Sequence, residues 1–157
     1  MSELSARLDR WLYRGGRPNR LARLMVHFWA CVFARGWIMP DRVATLEVVG
    51  RCSGRPVALP VVVADFEGGR YLVSMLGEKA NWVRNVRAAD GRAVLRHGRQ
   101  EKVRLVEVDV GARAPVLRRY LSVAPGARAH IPVDRHASLP EFEQIADRFP
   151  VFRITAS

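Results

Sequence analysis

The stretch VALPVVVADFEGGRYLVSML, residues 57–76, sets two apolar, β-branched runs on either side of Glu67-Gly68-Gly69. Such runs suit a pleated surface better than a helix, and a short glycine turn between them joins neighbouring antiparallel strands. Strands are therefore predicted over 57–64 and 71–76. The same signature repeats outward: TLEVV at 45–49 precedes it, while RAVLRH at 92–97 and KVRLVEVDV at 102–110 follow, joined by a turn at His97-Gly98-Arg99. A last strand is predicted over 151–155. Apolar and polar residues alternate in the 102–110 run, which leaves one face wet. Only small helices interrupt: NWVRNVRAA at 81–89, residues 113–121, and a segment ending before Pro150 that opens on a Ser138/Glu141 capping box. Short strands with small interposed helices predict a mainly β, α+β fold built on an antiparallel barrel, closed or partly closed, rather than a parallel α/β sheet.

At 157 residues and 49% hydrophobic, the chain fits one compact domain with a real core, expected over 43–157, preceded by a helical arm over 1–42. In the arm Arg7, Arg10, Arg14 and Arg17 recur at helical steps among Leu4, Leu8, Trp11 and Leu12; a second helix is predicted over 19–35, ended by Gly36. Its apolar run LMVHFWACVFA at 24–34 is shorter than the roughly 17 residues that a spanning helix needs. The arm is read in two ways, as packing on the domain or as a peripheral contact with an anionic membrane face.

Formal net charge is +11, nearly all of it from arginine, with eight Arg against three acids over 1–42 and eleven Lys or Arg against five acids over 51–104. That excess marks the arm and the middle of the chain as surfaces for an anion. Nucleic acid is not the expected partner, because aromatic residues are not interleaved with the charge as a stacking platform requires. Cys31 and Cys52 lack metal-ligand spacing. No metal is expected, and a reducing, cytoplasmic setting is.

The turn before the opening stretch, VVGRCSGRPVALP at 48–60, holds more than a chain reversal needs. Gly50 and Gly54 let backbone amides face one way, Ser53 adds a hydroxyl, and Arg51 and Arg55 add charge, a composition that suits a phosphate or carboxylate nest. A tight hairpin with solvated arginines also accounts for it. It is not a nucleotide P-loop, since no Gly-Lys-Ser/Thr follows. A second element, LGEKANWVRN at 76–85, places Lys79 and Asn81 at a helix start and Trp82 and Asn85 on one helical face. Taken alone, Trp82 reads equally as a core residue and Asn81 as an N-cap. The two elements leave the ends of neighbouring strands, where they can converge.

The series G-R-x-S-G-R-P-x-x-x-P, the hairpin E-G-G-R-Y-L-V-S and N-W-x-x-N together resemble the deazaflavin-dependent nitroreductase family, the split-barrel F420H2-dependent reductases of actinobacteria, over about 45–110. The resemblance implies a split β-barrel of the FMN-binding-like type and the cofactor F420, with FMN as the alternative. It also implies that Gly50, Arg51, Ser53, Gly54 and Arg55 border the phosphate and acidic tail and that Pro60 shapes the entry groove. Ser74, Met75, Leu76 and Gly77 would line the ring, and Lys79, Asn81 and Trp82 would close over it. Cys52 departs from the basic residue often found there in the family. The tyrosine-rich segment of nitroimidazole-reducing members is replaced by YLSVAPGARAHIP, in which Tyr120 and His130 are the candidate proton donors. The expected activity is hydride transfer from reduced F420 to a hydrophobic electrophilic acceptor such as a quinone. The alternative is a non-catalytic protein on the same scaffold, holding a fatty acid or other apolar ligand with its acid head at Arg51 or Arg55.

Overall fold

The structure, a computed structural model, describes residues 42–157. The two helical segments expected in the arm lie outside the described residues. Strands β1 (Val43–Val49), β2 (Pro56–Val62), β3 (Ala64–Phe66), β4 (Gly69–Val73), β5 (Arg92–His97), β6 (Arg99–Glu107) and β7 (Val151–Ala156) form one antiparallel sheet in the order β2-β1-β5-β6-β7-β4-β3. Its two edges are consecutive pieces of chain. β2 pairs with β1 from Pro56 opposite Val49 to Val62 opposite Val43, β3 pairs with β4, and Val63 alone separates them. The sheet thus curls into a half-barrel, the split-barrel architecture expected from the sequence.

The predicted strand over 57–64 is therefore two strands. Val63 leaves the sheet ladder, and its N–H donates to the Arg42 carbonyl at 2.8 Å, so the turning residue keeps its backbone hydrogen bond outside the main ladder. β5 has the predicted bounds, whereas β6 starts at Arg99, three residues before the predicted run, and ends at Glu107. Its extension follows from the tight turn at Gly98, which lets Arg99 pair with His97 at once.

Strand alternation sorts the residues into two cores. Leu46, Val48, Leu72, Leu95, Val103, Leu105, Phe152 and Ile154 point into the barrel, and helix α1 (Asn81–Ala88) adds Val83 and Val86 to them. Each such fully buried side chain contributes about 1.5–3 kcal/mol relative to exposure. The other core lies between the β3-β4 side of the sheet and two helices, α2 (Ala114–Val123) and α3 (Leu139–Ile145), and centres on Leu117, Leu121, Phe142, Phe149 and Val151. The capping box forms as read: the Glu141 carboxylate accepts from the Ser138 backbone N–H at 2.9 Å and from its hydroxyl at 2.8 Å. Among the described residues no helix is long and apolar enough to cross a membrane.

Helix α1 ends in a Schellman motif. The Asp90 N–H donates to the Arg87 carbonyl at 3.2 Å and the Gly91 N–H to the Val86 carbonyl at 2.9 Å, satisfying carbonyls that the last turn leaves open. The Gly91 carbonyl then accepts from Leu105 N–H at 2.8 Å, which fastens the end of α1 to β6.

Candidate functional site

The turn between β1 and β2 is closed by its own backbone. Gly50 N–H donates to the Arg55 carbonyl at 2.8 Å and Gly54 N–H to the Gly50 carbonyl at 2.9 Å, with Gly54 at φ +66, a left-handed conformation that glycine adopts freely. Arg55 N–H donates to Ser53 Oγ at 3.2 Å, and Arg51 N–H to Asn85 Oδ1 at 3.2 Å. The amides of Gly50, Arg51, Gly54 and Arg55 thus have partners within the protein. Arg51 and Arg55 are both exposed, so the turn carries two positive charges at the surface.

The two elements singled out in the sequence do converge. Arg51 Nη1 donates to Asn85 Oδ1 at 2.8 Å, so this one oxygen receives both the backbone and the side chain of Arg51, 34 residues away in sequence. Asn81 lies four residues earlier on α1 and therefore shares its face with Asn85. The helix begins at Asn81, with Ala80 as its N-cap, no side-chain cap and no acidic residue in its first turn. Asn81 is thus the first helical residue rather than the cap. An uncapped N-terminus with exposed Lys79 just before it favours negative charge.

The segment from Ser74 to Ala80 crosses from one core to the other, with Met75 packed on the helical core and Ala80 in the barrel core. Ser74 is 1% exposed; its N–H donates to the Pro150 carbonyl at 2.9 Å and its hydroxyl to the Gly77 carbonyl at 2.8 Å. Its hydroxyl therefore holds this turn together. Leu76 is 48% exposed and offers an apolar surface beside the turn. Trp82 is half-buried, its ring 5.5 Å from that of Phe152 at an interplanar angle of 56°, so one side of it rests on the barrel core. Pro60 is half-buried in β2, opposite Thr45.

An ion network fixes the same segment from behind. Arg87 donates to Glu78 at 2.7 Å and to Glu107 at 2.6 Å, and Arg113 donates to Glu107 at 3.2 Å. The Arg87 guanidinium holds the Glu78 carboxyl below its ordinary range. Neither Asn85 as an anchor nor Arg113 as a hub was singled out by sequence reasoning. The signal for Asn85 was present, since asparagine is a poor residue for a helix interior and its place there calls for a partner.

The candidate proton donors lie in the helical layer, not on α1. Tyr120 is 4% exposed in the α2–α3 core, and burial pushes its hydroxyl well above the usual phenol range. α2 turns this face inward, and the ring packs among apolar side chains. His130 is exposed, at the end of the 3-10 turn Pro125–Ala129, where its N–H donates to the Ala127 carbonyl at 3.0 Å. Among the described residues no three His, Cys, Asp or Glu side chains gather as metal ligands.

No family model and no curated protein matches the chain. Solved structures do. A protein of unknown function from Agrobacterium tumefaciens superposes with a TM-score of 0.55 at 14% identity, over 74% of this chain and 48% of that one. A heme binding protein from Mycobacterium smegmatis gives 0.52 at 17% identity, over 82% and 51%. The chain therefore spans about half the length of each. These likenesses are of fold. An F420-H2 dependent reductase, FDR-A, gives 0.49 at 18% identity over 73% and 94%.

Proposed function

We propose that the chain is a split-barrel oxidoreductase that holds the anionic deazaflavin F420 between the Arg51–Arg55 turn and the start of α1 and reduces a hydrophobic, electrophilic acceptor such as a quinone. The observation that carries the reading is the docking of the arginine turn onto α1 through Asn85, on the same helix whose uncapped N-terminus follows Lys79. This donor set fits a phosphate with an acidic tail: Arg51 and Arg55 are exposed and the first turn of α1 carries no acid. Leu76 and Met75 offer the apolar contact that a ring system needs.

When bound, F420 supplies a hydride. The chain's own contribution is to bind and orient: arginine forks grip the anion, and the Ser74–Gly77 turn, held by its internal hydrogen bonds, gives a fixed apolar edge. His130, exposed near the helical core, is the remaining candidate to give a proton to the reduced acceptor.

Fluorescence titration with F420 and with FMN tests the reading. F420 should bind, and Arg51→Ala and Arg55→Ala should each weaken it by about 1–3 kcal/mol, with added salt mimicking them. Unchanged affinity in the double variant removes the anion role; binding of FMN alone redirects the cofactor assignment. In turnover of reduced F420 with menadione, His130→Ala should slow the reaction by one to two orders of magnitude, roughly the lower part of the range for general acid catalysis. An unchanged rate assigns that proton to water.

A further inference from the structure

Asn85 is 6% exposed in the middle of an eight-residue helix, a costly place for an amide side chain unless it is hydrogen-bonded. Its Oδ1 accepts twice, from the Arg51 N–H and from Arg51 Nη1, and both donors belong to the turn rather than to the helix. The chemistry of the acceptor matters as much as its place. An amide oxygen is neutral, so it can fix a guanidinium while leaving its positive charge intact, whereas a carboxylate at the same position would cancel that charge at contact distance.

We infer that Asn85 is the positioning residue of the anion site, clamping the Arg51 turn onto α1 while leaving the charge of Arg51 available to an anionic ligand. The inference rests on the proposed anion role of the turn and adds the reason for a neutral partner. Asn85 acts on the ligand only through Arg51. The clamp also sets the turn's place along α1, because the backbone N–H of Arg51 and its side chain are held by the same atom.

The test compares the parent chain with Asn85→Asp and Asn85→Leu by thermal unfolding, F420 fluorescence titration at low and high salt, and amide hydrogen exchange at Arg51. Asn85→Asp keeps the clamp, so it should unfold at or above the parent temperature with the Arg51 amide still protected. Its dissociation constant for F420 should nevertheless rise about tenfold or more, with a shallower salt dependence, because the charge of Arg51 is cancelled. Asn85→Leu removes the acceptor, and exchange at the Arg51 amide should quicken about tenfold or more. Should Asn85→Leu fail to fold, Asn85→Ser, whose hydroxyl is too short to reach the turn, takes its place. Parent-like F420 affinity in Asn85→Asp overturns the inference and leaves the proposed function standing, as does unchanged Arg51 exchange in the acceptor-free variant. A parent chain that binds neither F420 nor FMN overturns both.

Discussion

Replacing Arg113 by alanine should lower the unfolding free energy by about 3–5 kcal/mol, because the buried carbonyls it serves lose a charged donor at about 1–3 kcal/mol each. For a chain of this size that is a fall in melting temperature of roughly 10 °C or more. Arg113 is 5% exposed, and its guanidinium serves three places at once. Nε donates to the Val108 carbonyl at 2.8 Å, Nη1 to the Ala146 carbonyl at 3.1 Å, and Nη2 to Glu107 at 3.2 Å. Ala146 begins the short 3-10 turn that follows α3, where helix carbonyls run out of intrahelical donors. Alanine leaves those buried carbonyls without their donor, while Glu107, about a third exposed, keeps Arg87 and solvent. Arg118→Ala, on the exposed side of α2, is the control and should stay within about 0.5 kcal/mol of the parent. Urea unfolding of the two variants decides: a loss below about 1 kcal/mol for Arg113→Ala would show that the buried network can be replaced by local rearrangement. Because Glu107 also holds Arg87, and Arg87 holds Glu78, the same substitution should loosen the segment from Ser74 to Ala80.

Local chemistry made most of the elements legible. The run at 92–97 alternates inward Ala93 and Leu95 with outward arginines and is a strand with the predicted bounds, and glycine marked both hairpin turns. Val63 was not legible, since three successive valines give no sign of where the ladder breaks; the break is set by the curl of the whole sheet and by Arg42 across it. The candidate site was legible as two composition anomalies, the arginine-glycine turn and the polar start of α1, but their joining was not. The bond between Arg51 and Asn85 depends on β1 lying against α1, a tertiary fact. The roles that the resemblance implied for Ser74 and Tyr120 gave no sign that both are buried, Ser74 with its hydroxyl bonded within its own turn. Arg113 escaped notice for the converse reason, being one arginine among many in an arginine-rich chain.

The second large effect falls on Gly91, where alanine should cost about 3–5 kcal/mol, combining left-handed strain with a collision against backbone. Gly91 has φ +77, and a Cβ built on it meets the Leu105 carbonyl oxygen far inside van der Waals contact, with Arg104 Cγ also at 3.3 Å. A flexible side chain can give way, but the Leu105 carbonyl belongs to β6 and cannot move without disturbing the sheet. Gly98→Ala separates the two causes. Gly98 has φ +71 and nothing within 4 Å of an added Cβ, so it carries the strain without the collision and should cost only about 1–2 kcal/mol. Thermal unfolding of the pair reads the difference directly, and equal losses would assign the whole effect of Gly91 to its dihedral angle. The effect should also reach the site. The Gly91 carbonyl accepts from Leu105 N–H and its N–H closes the end of α1, so relieving the collision pulls the helix from β6. Asn85 sits on that helix and clamps Arg51, so under conditions where Gly91→Ala remains folded its F420 affinity should fall with its stability, while Gly98→Ala, at a hairpin tip outside the site, should bind as the parent does.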